Sequence, residues 1–214
     1  MVLLSDEQRK SLESATNLYA EHLEEALPYL EGRGIGKDIA LSRGLGVVKT
    51  PAIPEHKAAV GRLAIPYITP SGVVAITFRC IQDHNCREVD NHSKYVKPRG
   101  QESVLYGVMD CQIPSLDIHV AEGEIDTITL SELCSLPAIG FSGAKQWKPW
   151  WTEVLRDFHR VFVYCDGDEA GISLGNKISK EVGSSVIPIN LPSGEDVNSY
   201  YMKYGPEALR EMAK

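Results

Sequence analysis

Apolar residues recur at helical spacing near the start of the chain and in short β-like runs further on. Leu12, Ala15, Tyr19, Leu23, Ala26, Leu27 and Leu30 share one helix face, which predicts a helix from about Asp6 to Leu30. Ser5 and Gln8 form a capping-box pattern at its start, and Gly32-Arg33-Gly34 ends it. A short helix is predicted from Lys37 to Arg43. Residues 61–67 and 73–79 read as strands joined by the turn Thr69-Pro70-Ser71-Gly72. A polar loop from Gln82 to His92 then leads to Lys94-Tyr95-Val96. This half reads as α+β with an antiparallel sheet.

The pattern changes near Pro114. Strands are predicted at 118–121, 137–140, 160–164 and 185–189, with helices at 126–133, 147–157 and 169–182 between them. Strands alternating with helices imply a parallel, doubly wound sheet. The expected division is therefore 1–116 for an N-terminal α+β subdomain and 117–214 for a C-terminal α/β domain.

The 214 residues are 43% hydrophobic and 24% charged, which excludes a disordered tail, a collagen-like fibre and a coiled coil. No apolar run reaches the ~20 residues of a membrane helix, and the first residues lack the basic and apolar regions of a signal peptide. Five cysteines, odd in number and widely spread, suggest reduced thiols in a cytoplasmic protein. The net charge is −7, but it is unevenly spread. Residues 57–99 hold seven basic and three acidic side chains, whereas residues 118–214 hold nine basic and fourteen acidic ones. A basic strip joined to an acidic half suits a protein that handles phosphates and divalent cations.

Acidic residues follow the predicted strand ends: Glu122 after the first strand of the second half, Asp166 and Asp168 after the third, Asp196 after the fourth. Ligands of such sheets sit at the carboxyl ends of strands. Neighbouring carboxylates repel one another unless a cation neutralises them, and hard oxygen donors select Mg²⁺ or Mn²⁺. The i, i+2 spacing lets Asp166 and Asp168 face one site, with Gly167 and Gly171 keeping bulk away. Glu122 suits metal binding or proton transfer. Helix capping is the competing reading for Asp168.

Ala121-Glu122-Gly123-Glu124-Ile125-Asp126 followed by Tyr164-Cys165-Asp166-Gly167-Asp168-Glu169-Ala170-Gly171 resembles a TOPRIM domain, the module of primases, topoisomerases and some nucleases. Upstream, Tyr29-Leu30-Glu31-Gly32-Arg33-Gly34-Ile35, Gly61-Arg62-Leu63-Ala64-Ile65-Pro66-Tyr67, Lys94-Tyr95 and Leu105-Tyr106-Gly107 resemble, in order, the catalytic core of bacterial-type replicative DNA primases. Leu191-Pro192-Ser193-Gly194-Glu195-Asp196-Val197-Asn198 resembles that family's last acidic motif. A core this short is similar to the minimal primases of bacteriophages.

The resemblance implies a C-terminal TOPRIM, Rossmann-like parallel sheet behind an N-terminal α+β subdomain. It implies a DNA-dependent RNA polymerase that makes short primers from NTPs on single-stranded DNA, by nucleotidyl transfer assisted by Mg²⁺ or Mn²⁺. Asp166 and Asp168 are then metal ligands with Asp126 or Asp196 helping, and Glu122 is a ligand or general acid/base. Arg62, Arg79 and Lys94 would hold template or triphosphate through charge-assisted hydrogen bonds. Thr77-Phe78 stands where the family has a glycine pair. Glu195 and Asn198 stand where it has a lysine and a second aspartate, so the third ligand position is open. The family's zinc module and helicase-binding domain have no counterpart in these residues, so a helicase-containing partner is expected. A TOPRIM nuclease and a non-catalytic single-strand-binding remnant are the alternatives.

Two other groups stand out. Cys80, His84, Cys86 and His92 have the residue types of a zinc site, but their spacing is not C-x-x-C, which favours an ordinary polar loop. Trp147, Trp150 and Trp151 suit base stacking but fit amphipathic packing better.

Overall fold

The computed structural model, which describes residues 4–86, 88–90, 92–143 and 146–214, begins with α1 (Asp6–Ala20), closed at its start by the reciprocal Ser5–Gln8 capping box. The helix expected to run on to Leu30 stops at Ala20. A 3₁₀ turn (Leu23–Ala26) and α2 (Leu27–Glu31) replace its second half. Pro28 rules out one unbroken helix to Leu30: it has no N–H for the Glu24 carbonyl, and it is accommodated in the first turn of a new helix. The apolar face survives the change of axis, since Ala15, Tyr19, Leu23, Ala26 and Leu30 are all buried.

The first unit runs from Met1 to Glu102. After α3 (Lys37–Ser42) it forms β1 (Gly46–Val47), β2 (Leu63–Thr69), β3 (Gly72–Arg79) and β4 (Tyr95–Val96), all antiparallel and in that spatial order. Ala15 and Tyr19 of α1 share a core with Ala64, Ile76 and Phe78 of the sheet. Tyr19 meets Phe78 edge-on, and its hydroxyl is 2.8 Å from His56 Nδ1.

The second unit, Ser103–Lys214, contains β5 (Asp117–Ala121), α4 (Glu124–Ile128), β6 (Ala138–Gly140), α5 (Thr152–Leu155), β7 (Arg160–Cys165), α6 (Glu169–Val182), β8 (Val186–Asn190), α7 (Val197–Tyr204) and α8 (Pro206–Met212). The sheet is parallel, in the order β6-β5-β7-β8. Both faces are covered, as crossover helices require. Ile118, Val120, Val161 and Val163 point to one core with Phe141, Trp147, Trp151 and Leu174. Ala121, Phe162 and Tyr164 point to the other with Leu130, Val197 and Leu209. The α4 and α5 helices are too short to persist alone. Ile125, Ile128 and Leu155 anchor them, at about 1.5–3 kcal/mol for each fully buried aliphatic side chain. Trp147 and Trp151 are thus core residues, and Trp147 Nε1 donates to Glu181 Oε2 at 2.7 Å.

The units meet at Glu102/Ser103, ahead of the expected 116/117 boundary. Leu105 joins the Ile118–Val120 core, and Tyr106 exchanges two backbone hydrogen bonds with Gly140 (2.7 and 3.0 Å). Asp110 Oδ2 accepts from Ala138 N at 3.1 Å. Residues 103–116 thereby cover the outer edge of β6. Among the described residues no helix is long and apolar enough to cross a membrane.

Candidate active site

The strand order places a topological switch point between β5 and β7. From β5 the chain moves to β6 on one side, then crosses back to β7 on the other. The crevice beyond the carboxyl ends of two such strands is the standard ligand position of an open α/β sheet. Register pairs Val120 with Val163, so Glu122 and Asp166 leave neighbouring strands at nearly the same height. Both are half-buried. The thiol of Cys165 beneath them is pushed up to about 11, first by burial and then by the negative charges of Glu122 and Asp166.

Glycines make the space. A Cβ on Gly171 would lie 2.6 Å from the backbone N and O of Asp166, and one on Gly167 would lie 1.9 Å from Pro192 O. The α6 helix and the 192–195 loop can therefore close on the Asp166 turn. Gly167 N donates to Glu195 O (2.9 Å), Gly194 N to Gly167 O (3.2 Å) and Leu191 N to Cys165 O (3.1 Å). Asp126 stands against the Glu122 turn, since a Cβ on Gly123 would be 2.8 Å from its Oδ2. Asp126 Oδ1 accepts from Asn198 N at 3.0 Å, and Asn198 Nδ2 donates to Thr129 Oγ1 at 2.9 Å. Asn198 thus fastens α7 to α4.

Two of the expected ligands also serve as caps. Asp168 Oδ1 accepts from Gly171 N (2.8 Å) as the N-cap of α6. Asp196 Oδ1 accepts from Ser199 N (2.7 Å) in a capping box at α7. Glu195 is held by Lys203 (2.6 Å) and Ser199 (2.6 Å), and these hydrogen bonds keep its carboxyl below the usual range. At the opposite ends of the same strands Arg160 forks onto Asp117 (2.5 and 2.8 Å), a pair that closes the base of the sheet.

The basic candidates lie in the first unit. Arg79, at the end of β3, is buried, bonds the Tyr95 hydroxyl and stacks over the rings of Tyr29 (5.6 Å) and Tyr95 (5.1 Å). Arg33 stacks on the same Tyr29 ring at 5.0 Å. With Lys94 these cations line a cavity of about 1000 Å³. Burial pushes the Tyr29 phenol up despite both arginines, so it stays a neutral platform. Tyr29 and Arg33 were visible in the Tyr29–Ile35 motif, but sequence reasoning assigned them no role. Arg62 is committed to backbone, donating to Ser93 O at 2.7 Å and Lys94 O at 3.5 Å.

The loop from Cys80 to His92, read from its spacing as a polar loop, brings its four candidate ligands together. Its two cysteines and two histidines converge, with ligand atoms all within 4.8 Å of one another. Cys80 N donates to Lys94 O (2.8 Å), and this bond with the Arg62 anchor folds the segment back on itself.

No family model matches the chain. The gene 57 protein of Mycobacterium phage D29 is 36% identical over 156 residues, which cover 71% of this chain and 97% of that protein. The DNA primase of Chlamydia muridarum is 29% identical over 102 residues, 44% of this chain and 16% of that protein. The zinc-binding and RNA polymerase domains of Aquifex aeolicus primase superpose with a TM-score of 0.80 at 21% identity, covering 98% of this chain and 61% of that one. A DnaG primase catalytic domain bound to single-stranded DNA superposes with a TM-score of 0.74 at 20% identity, covering 98% and 80%. The fold is that of the bacterial primase catalytic core, and the chain belongs to the family of the phage D29 gene 57 protein.

Proposed function

We propose that the protein is a DNA primase, a nucleotidyltransferase that joins ribonucleotides on a single-stranded DNA template. The observation that carries this reading is the placement of Glu122 and Asp166 on either side of the β5/β7 switch point, in a primase-core fold. The likeness to a catalytic domain bound to single-stranded DNA, and to a bacterial DNA primase over part of the chain, supports the same choice of template and reaction.

The donor set is all carboxylate, which fits Mg²⁺ or Mn²⁺ with water and phosphate completing the shell. Asp166 and Asp168 would hold the metal, with Asp126 or Asp196 helping; Asp126, Asp168 and Asp196 each accept a backbone N–H at one oxygen. A divalent ion held there would supply activation of the primer 3′-hydroxyl and charge neutralisation for the leaving pyrophosphate. Glu122 sits beside Asp166, placed either to share the ion or to take the hydroxyl proton. Asn198 and the 192–195 loop keep the acidic turns from spreading. Arg33, Arg79 and Lys94 bind triphosphate or template phosphates, and the Tyr29 ring holds both guanidinium planes in orientation. With so few cations and a net charge of −7, binding is weak and falls with salt by about one unit of slope for each phosphate contact. Initiation joins two free nucleotides, and the loss of freedom must be met by contacts. A helicase-containing partner that raises the local template concentration therefore belongs to the reading.

The test is incubation with single-stranded template, labelled NTPs and Mg²⁺ or Mn²⁺, beside a control without NTPs. Products that need NTPs and template support a primase. Strand cutting in the control identifies a nuclease, and binding with neither outcome identifies a non-catalytic remnant.

A further inference from the structure

The loop that joins β3 to β4 carries a group that nucleotidyl transfer does not use. The sulfurs of Cys80 and Cys86 and a ring nitrogen from each of His84 and His92 lie within 4.8 Å of one another. His84 Nε2 is 3.7 Å from Cys80 Sγ and 3.5 Å from Cys86 Sγ. A tetrahedron with Zn–S bonds of about 2.3 Å and Zn–N bonds of about 2.0–2.1 Å has edges of about 3.3–3.8 Å. Both measured contacts fall in that range. The His84 and His92 rings meet edge-on, 4.6 Å between centroids and 80° between planes.

A second observation comes from His92. Its Nε2 atom is enclosed and has no hydrogen-bond partner among the described residues. Enclosed polar atoms are nearly always paired, so an orphan on a ring that shares a cluster with two thiols and an imidazole calls for an explanation. Hydrogen bonding within the cluster supplies little, because thiols are weak donors and a neutral imidazole has one N–H. A cation with an affinity for sulfur and nitrogen satisfies all four groups together.

We propose that Cys80, His84, Cys86 and His92 bind one structural Zn²⁺ that fastens the 80–94 loop. The donor set chooses the metal: two thiolates and two imidazoles suit Zn²⁺ and exclude the Mg²⁺ that the carboxylates of the second unit suit. Four protein ligands close the shell, which makes the site structural. What it fastens matters for binding. The same loop forms one wall of the cavity that holds Arg33, Arg79 and Lys94, and its described residues between Cys80 and Lys94 form no helix and no strand. Without a cross-link, that wall depends on the Cys80–Lys94 backbone bond and the Arg62 anchor.

The experiment is metal analysis of the full chain, purified with a reductant and without chelators, followed by exchange with Co²⁺. About one zinc per chain is expected, together with the thiolate charge-transfer and intense visible bands of tetrahedral Co²⁺. Cys86→Ser and His92→Ala should each lower zinc content to about a tenth or less. Chelation should speed proteolysis within the 80–94 loop at least about tenfold, leaving the second unit as resistant as before. Folded wild-type protein that retains less than about a tenth of a zinc after equilibration with excess Zn²⁺ would overturn the proposal. So would stoichiometric zinc that survives both substitutions, or a Cys80–Cys86 disulfide in the reduced preparation. The Co²⁺ spectrum of the wild type decides the question even where a variant does not fold. None of these readouts depends on primer synthesis.

Discussion

The two units position their polar groups by different means. In the second, Glu122 and Asp166 stand at the ends of strands that are buried on both faces and paired in register, so the sheet itself sets their separation. In the first, the Arg79 cavity and the Cys80–His92 group depend on an irregular loop held by a few polar contacts. A site on a packed sheet tolerates the loss of a carboxylate without loss of order. A site built from a loop needs its own fastening, and substitutions there alter order and binding together.

The largest effect belongs to the acids. Glu122→Gln should reduce ribonucleotide incorporation by about 10²–10³-fold, with an unchanged melting temperature. Asp168→Asn should fall similarly while α6 stays capped, because asparagine caps as well as aspartate. Circular dichroism and incorporation rates on the same samples separate cap from ligand, and an active Asp168→Asn variant would leave only the capping role.

The sheet should betray its burial through pH. His119, on the central strand β5, stacks on Phe162 of β7 at 5.0 Å, and burial pushes it down to about 4. The unfolded chain takes up this proton below its ordinary value of about 6.5, and the folded chain resists until about 4. Stability from this group is therefore complete above that ordinary value and lost as pH falls toward 4, by about 3 kcal/mol. Denaturant melts across this window, compared with His119→Phe, measure it; an unchanged pH slope in the variant would place the proton elsewhere.

Smaller effects are expected in the first unit. Arg79→Ala should weaken template or triphosphate binding about tenfold and flatten its salt dependence by about one unit, as one lost phosphate contact requires. An unaltered slope would make Arg79 a packing residue between Tyr29 and Tyr95. Arg62→Ala should cost about 1 kcal/mol of stability, through the hydrogen bonds to Ser93 and Lys94. Its salt slope should be unchanged, because the guanidinium is committed to backbone.

What could be read from the chain follows the same division. The acids after β5 and β7 were legible because alternating apolar runs stop where carboxylates begin, and the strand–helix alternation says that those ends meet. The Ser5 cap and the bounds of α6 were legible for equally local reasons. The end of α1 was not, since the amphipathic spacing continues past Ala20 through Leu23, Ala26 and Leu30. The 103–116 segment has no periodicity, and only its bridge to Gly140 and the Asp110–Ala138 bond assign it to the second unit. The convergence of Cys80, His84, Cys86 and His92 was hidden because distant anchors at Arg62 and Lys94 fold the loop.

The most direct test of the central claim is extension of a preformed primer on single-stranded template by wild type and Asp166→Asn, with Mn²⁺, NTPs and equal protein. Using a preformed primer removes the demand for a partner at initiation. The account predicts template-directed, NTP-dependent extension by the wild type. It predicts none above background from Asp166→Asn, whose melting temperature should match the wild type or rise slightly as carboxylate repulsion is relieved. Extension by Asp166→Asn at the wild-type rate would contradict the placement of the chemistry at the β5/β7 switch point.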